Sequence, residues 1–291
     1  MYGVSPAYFF SRFSTDFSVE DYIRGLDWLA GSSFGGFQLE VFHKEKLGEW
    51  ESKAGALSAA AHGLGMEATQ FVAHFLLYTT REEASLLSEA GYEEMKAVAG
   101  ICASFPSCKV VTLPLSPFSL PTGAACAPGD WSRLWEGLCS RLLRYAGIVE
   151  GAGMRLALEI VPGSLLGGTE GLMRFSRETG NDSVGYNFDT GHAWSSKEAI
   201  GLIPAKLAGR IYGTHLKDNF GTENLALPPG EGSISWIPLV QGLLESGYQG
   251  SLDLEIACQN PNEVEGAYLR GKNTLEQAYA IAMKAMQRRA S

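Results

Sequence analysis

Residues 155–163 read RLALEIVPG, and residues 184–194 read VGYNFDTGHAW. Each is a short apolar run with one acidic side chain near its carboxyl end, Glu159 in the first and Asp189 in the second. A short apolar run closed by Gly or Pro predicts a buried strand. Working outward, the same unit recurs: apolar run, amphipathic stretch, Gly or Pro. Besides 155–161 and 184–189, strands are predicted over residues 2–5, 36–41, 67–73, 109–114, 210–217 and 251–257. Intervening segments such as 131–152 and 234–247 have helical spacing and length. Eight units in 291 residues average about 36 residues each, a comfortable length for a strand–helix repeat. Strands alternating with helices argue for a parallel sheet, and eight repeats argue for closure into a single (β/α)8 TIM barrel. The chain 1–291 is therefore expected to be one domain. An open doubly wound sheet would want a Gly-rich turn after the first strand, and PAYFFSRF stands there instead.

Composition narrows the function classes. Hydrophobic residues are 45% and charged residues 19%, which is globular and not disordered. The net charge of -9 repels nucleic-acid phosphate, so no nucleic-acid partner is expected. No apolar stretch approaches the ~20 residues of a membrane span. The start, MYGVSPAYFF, lacks the basic and apolar regions of a signal peptide. The five cysteines include no CxxC pair, which fits reduced thiols and a cytoplasmic location. A homo-oligomer is left open.

In such a barrel the active site lies at the carboxyl ends of the strands. The second half of the chain ends its strands on Glu159, Asp189, His215 and Glu255. Their separations of 30, 26 and 40 residues are each close to one repeat, so one falls on each of four successive strands. Three carboxylates meeting at one mouth repel one another without a cation. With one imidazole they suit a single divalent metal ion, and Mn, Mg, Co or Zn all fit that donor set. Asp253 shares a face with Glu255 at strand period two, and Glu255 is preferred because it lies nearer the mouth. Each member also has a plainer reading: Asp189 as a helix N-cap, His215 as a hydrogen-bonded core residue, Glu159 as a paired strand-end charge. Glu40 in GFQLEVF and His74 in TQFVAHF are further candidates to line the pocket and bind substrate. Lys217 is a candidate either to bind substrate or to pair with Asp218. Trp194 and Phe220 are candidate pocket walls, and Glu231 is a loop residue or a substrate contact. His43 and His62 read as surface residues. The long segment 116–130 is a candidate lid.

The ordered motifs LALEIVP, NFDTGH, THLKD, PGEGSISW and LDLEI resemble the xylose isomerase-like superfamily of sugar-phosphate isomerases and epimerases. The resemblance covers nearly the whole chain and is sharp from Arg155 onward. It implies that Glu159, Asp189, His215 and Glu255 bind one divalent metal. It also implies that the two glutamates move protons and that His192 contacts substrate. His74 resembles a strand-three histidine common there. The implied activity is isomerisation or epimerisation of a small sugar, sugar phosphate or hydroxy-ketone, by proton transfer through a metal-bound enediolate. The motifs resemble ketose 3-epimerases, hydroxypyruvate isomerases and inosose dehydratases about equally, so a lyase at the same site is the alternative. The ketose 3-epimerases usually place an Arg six residues after the strand-seven His; here Gly221 stands there, which counts against that branch. A DNA-repair endonuclease on the same fold is disfavoured by only five histidines, none of them on the fourth strand, and by the net charge of -9. A barrel that binds sugar without catalysis is disfavoured by the intact ligand set.

Overall fold

The computed structural model describes residues 1–290. All eight expected strands form: β1 (Tyr2–Val4), β2 (Gly36–Glu40), β3 (Glu67–Val72), β4 (Val110–Leu115), β5 (Arg155–Ile160), β6 (Gly185–Asp189), β7 (Ile211–His215) and β8 (Leu252–Leu254). They make one parallel sheet in the order β7-β6-β5-β4-β3-β2-β1-β8. The seam between β7 and β8 closes through the parallel bridge of Leu216 with Leu254. There Leu216 N donates to Asp253 O (2.8 Å) and Glu255 N donates to Leu216 O (3.1 Å). The fold is thus a single (β/α)8 TIM barrel. The outer strands are shorter than expected: 251–257 reduces to three residues, so Glu255 and Lys217 sit just past the ladder rather than within it.

The strands are buried on both faces, as a ring of covering helices requires; β2 and β6 are buried throughout. The helix Val19–Gly31 shows how the outer layer is specified. Ser18 Oγ accepts from Asp21 N (3.2 Å) and the Asp21 carboxylate accepts from Ser18 N (2.8 Å), a closed capping box. Val19, Tyr22, Leu26 and Leu29 then fall at helical spacing and bury against the barrel. Among the described residues no helix is long and apolar enough to cross a membrane.

Inside the barrel, residues two apart on one strand form successive layers. The mouth layer holds Glu40, Glu159, Asp189, His215 and Glu255. Asp189 is in register with His215. The layer below is polar rather than aliphatic. In it Gln38 on β2 reaches across to His215 on β7, and Gln70 on β3 reaches Asn187 on β6 (3.0 Å). Gly3 gives this layer room, because a Cβ there would stand 2.1 Å from Asp253 Oδ1.

A fully buried Arg141 on the helix Pro128–Gly151 ties down the loop before the helix Tyr92–Ala103. It donates to the carbonyls of Ser85 (2.8 Å), Leu86 (2.9 Å), Ser88 (2.5 Å) and Ala90 (2.7 Å), and to Tyr145 Oη (3.1 Å). Arg141→Met removes this donor from buried and half-buried carbonyls, of which Ser85 O keeps its bonds from Ser88. It should cost about 3 kcal/mol or more and lower the thermal midpoint by roughly 6–12 °C. A calorimetric midpoint within a degree of wild type would refute this.

Candidate metal centre and active site

A cavity of about 480 Å³ opens at the carboxyl ends of the strands. Its floor carries Glu40, Glu159, His192, His215, Lys217 and Glu255, and His74 stands on its wall. The upper walls are largely apolar, with Phe10, Phe42, Leu77, Pro117 and Val161. Asp189 lies beneath the floor with no exposure.

Glu159, Asp189 and His215 offer ligand atoms that all lie within 4.8 Å of one another. Glu159 Oε2, Asp189 Oδ2 and His215 Nδ1 are buried and have no hydrogen-bond partner. His215 Nδ1 stands 3.0 Å from Glu159 Oε2 and 3.8 Å from Asp189 Oδ2. The atoms converge on a common point without being aligned as hydrogen bonds. Glu255 stands beside them, with Oε1 3.5 Å from His215 Nδ1, and its other oxygen pairs with Lys217 Nζ. Buried, convergent donors of this chemistry that make no aligned hydrogen bond fit a divalent cation. Three carboxylates meet here beside Lys217 and the His215 imidazole.

Asp189 combines the two readings its sequence allows. Its Oδ1 caps the short helix Thr190–Ser195 by accepting from His192 N (2.8 Å), while its Oδ2 joins the cluster. His192 Nε2 reaches Glu159 Oε1 (3.1 Å) and lies 3.4 Å from Asp189 Oδ2. His74 Nδ1 is 4.0 Å from Glu40 Oε1, and its ring lies over Phe42.

Lys217 turns inward, contrary to the pairing with Asp218 considered from sequence. Its Nζ is 2.8 Å from Asp189 Oδ2 and also pairs with Glu255. Gly191 makes this path possible, since a Cβ there would meet Lys217 Cε at 2.7 Å. Asp218 instead holds the loop that follows. It accepts from Gly230 N (2.9 Å), Ile234 N (3.1 Å) and Trp236 Nε1 (2.8 Å), which binds the THLKD and PGEGSISW motifs together. Glu231 pairs with Arg270 on the surface (2.7 Å), in keeping with its loop reading. Trp194 bonds Ser233 (3.0 Å) and Phe220 is exposed; neither lines the cavity, so their wall role is corrected. The candidate lid 116–130 contributes Pro117 to the wall, but residues 128–130 already belong to the following helix. Sequence reasoning passed over Gln38 and Asn224. An amide two residues before Glu40 in GFQLE was the available signal for Gln38.

Burial opposes the charge on Glu159, but the His215 imidazole and the hydrogen bond from His192 outweigh it and hold the carboxyl well below its usual range. Burial likewise opposes Glu255, and Lys217 and His215 hold it low. Both side chains are therefore ionised. Burial lowers His215, but Glu255 and Glu159 overcome this and push it up to about 9. Lys217 is raised by Asp189 and Glu255 against its own burial. Glu40 moves the other way: burial, then the charges of Glu255 and Glu159, raise it well above the usual carboxylate range. Its protonated form is favoured, and that form can donate a hydrogen bond.

Fold and site together define a (β/α)8 barrel with a carboxylate–imidazole cluster at the carboxyl ends of its strands. The xylose isomerase-like TIM barrel family model matches residues 26–286, and the chain belongs to that family. It is 30% identical over 145 residues to an inosose dehydratase of Geobacillus kaustophilus, covering 44% of this chain and 46% of that one. It is 32% identical over 152 residues to an inosose dehydratase of Yersinia enterocolitica, covering 45% and 49%. The chain spans about half the length of these curated relatives. An L-ribulose 3-epimerase structure superposes with a TM-score of 0.75 at 16% identity, covering 100% of this chain and 98% of that one. The IolI protein with a bound zinc atom superposes at 0.72 with 17% identity, covering 96% and 98%. At these identities the superpositions speak for the fold.

Proposed function

We propose that the whole chain acts as one catalytic domain, a divalent-metal-dependent isomerase or epimerase of a small, uncharged polyhydroxylated carbonyl compound. The observation that carries this is the convergence of three buried donor atoms that make no aligned hydrogen bond, Glu159 Oε2, Asp189 Oδ2 and His215 Nδ1, with Glu255 beside them. These four residues would hold the cation. When bound, it supplies Lewis-acid polarisation of a carbonyl and its neighbouring hydroxyl. Glu159 and Glu255 arrive from β5 and β8 on either side of His215 Nδ1. Both are held ionised, so each is able to accept the proton next to a carbonyl. One removes it and the other returns it, which inverts the centre; return to the adjacent carbon gives isomerisation instead. His192 orients Glu159 through Nε2 and turns toward the substrate space. A dehydratase using the same base is the second reading, favoured by the matches to two inosose dehydratases.

Incubation in heavy water with ketoses, hydroxypyruvate and inososes tests the reading. Deuterium should enter next to the carbonyl only in the presence of divalent metal. Inversion would mark an epimerase, label on the neighbouring carbon an isomerase, and loss of water a dehydratase. No exchange by metal-loaded protein with any member would refute the proposal.

Two further outcomes follow from the geometry. His192→Ala should lower kcat/KM by about 10²-fold while metal content stays at the wild-type level, because His192 positions a base rather than completing the ligand set. Loss of metal in that variant would place His192 among the ligands. Among the described residues lining the cavity, Lys217 carries the fixed positive charge, and Asp189 and Glu255 already engage it. A neutral ketone should therefore exceed its phosphate ester in kcat/KM by about 10²-fold, since the phosphate finds no free cation. Equal turnover of both would count against an uncharged substrate.

A further inference from the structure

The polar layer beneath the mouth reaches the cluster through one chain of hydrogen bonds. His215 Nε2 lies 2.8 Å from Gln38 Oε1. Gln38 Nε2 donates to Asp253 Oδ2 (2.8 Å) and to Thr214 O (3.3 Å). Asp253 Oδ2 also accepts from Thr69 Oγ1 (2.8 Å). Gln38 has no exposure, and Asp253 and His215 are each 1% exposed.

These partners leave the Gln38 amide one orientation. The Thr214 carbonyl only accepts, as does Asp253 in its carboxylate form, so the NH2 group must face them. The amide oxygen must then face His215. An oxygen there accepts, so the nitrogen of His215 that faces it carries the hydrogen. In a neutral ring the lone pair is left on Nδ1, the atom that joins Glu159 and Asp189. With the tautomers reversed, a buried Nδ1–H would occupy the ligand position beside Glu159 Oε2, and two lone pairs would confront each other at Gln38.

We propose that Asp253 and Gln38 are positioning residues that fix the tautomer and ring orientation of His215, with Asp253 acting through Gln38. The layer below the mouth thereby presets the imidazole as a ligand. The significance for metal binding rests on the reading that His215 ligates the cation; the tautomer assignment does not. Outer partners of a ligating His typically change metal affinity about 10–100-fold.

The test pairs a metal-free measurement with a metal-binding one. Nitrogen-15 NMR of the metal-free full-length protein, in buffer alkaline enough to neutralise the ring, should show His215 with hydrogen on Nε2. In Gln38→Met, close to Gln in shape, the two tautomers should mix. Calorimetric titration with Zn²⁺ alone should show affinity about 10–100-fold lower in that variant. Asp253→Asn keeps an acceptor for Gln38 and should stay within a few-fold of wild type. Asp253→Leu should fall with Gln38→Met, and the double variant should be no weaker than the weaker single one, as a serial relay requires. Circular dichroism identifies any variant lost to misfolding, and the near-isosteric Asp253→Asn and Gln38→Met keep the comparison available. A wild-type His215 with hydrogen on Nδ1, or a Gln38→Met protein with wild-type tautomer and zinc affinity, would overturn the relay. Wild-type protein that shows the Nε2–H tautomer but binds no zinc would uphold the relay and defeat the metal reading instead.

Discussion

Glu159→Gln and Glu255→Gln are each expected to lower kcat by between about 10² and 10⁴-fold with the barrel intact. Gln keeps the shape of Glu but accepts no proton and is a poorer ligand. Both carboxylates flank the convergent point, 3.0 Å and 3.5 Å from His215 Nδ1, and both are held ionised by their neighbours. Their exchange phenotypes should differ. A variant that has lost only the returning group keeps some deuterium uptake while failing to form product. A variant that has lost the abstracting group does neither. Steady-state kinetics with the substrate found by exchange, alongside thermal melts, check this. Either variant keeping more than about a tenth of wild-type kcat would remove that glutamate from the proton path.

Metal removal is the second large effect. Dialysis against a chelator should abolish turnover, and stoichiometric readdition of a divalent ion should restore it. Elemental analysis of the loaded protein should find about one ion per chain. A cation bound at 100 times its dissociation constant adds roughly 2.7 kcal/mol to stability, so chelation should also lower the thermal midpoint by roughly 5 °C. The physical source is the cluster itself: Glu159 Oε2, Asp189 Oδ2 and His215 Nδ1 are buried, make no aligned hydrogen bond, and meet one lysine, Lys217, at Asp189 Oδ2. Full activity after exhaustive chelation would end the metal-dependent reading.

The two effects separate chemistry from assembly. Asp189 belongs to the carboxylate–imidazole cluster, but it lies under the floor and away from the cavity wall. Its loss should appear chiefly as lost metal. Glu159 and Glu255 line the cavity as well, so their loss should appear in the chemical step even when metal is saturating.

Sequence by itself determined the eightfold repeat and the identity of the mouth residues. A buried parallel strand reads as an apolar run, and a charge within it stands out because burial would be costly without a partner. That made Glu159, Asp189, His215 and Glu255 legible, and period two made Asp253 and Glu255 share a face. Only the tertiary structure decided which groups meet. Lys217 and Asp218 are neighbours in sequence, yet one turns to Asp189 and Glu255 and the other to the backbone of the loop that follows. Gln38 and His215 are 177 residues apart, and no local pattern links them. Barrel closure through β8 and β1 brings β2 within reach of β7 across the interior, and that closure is set by the summed packing of eight strands rather than by any single stretch. The contacts that tune the site are therefore properties of the closed ring, while its chemistry was already written at the strand ends.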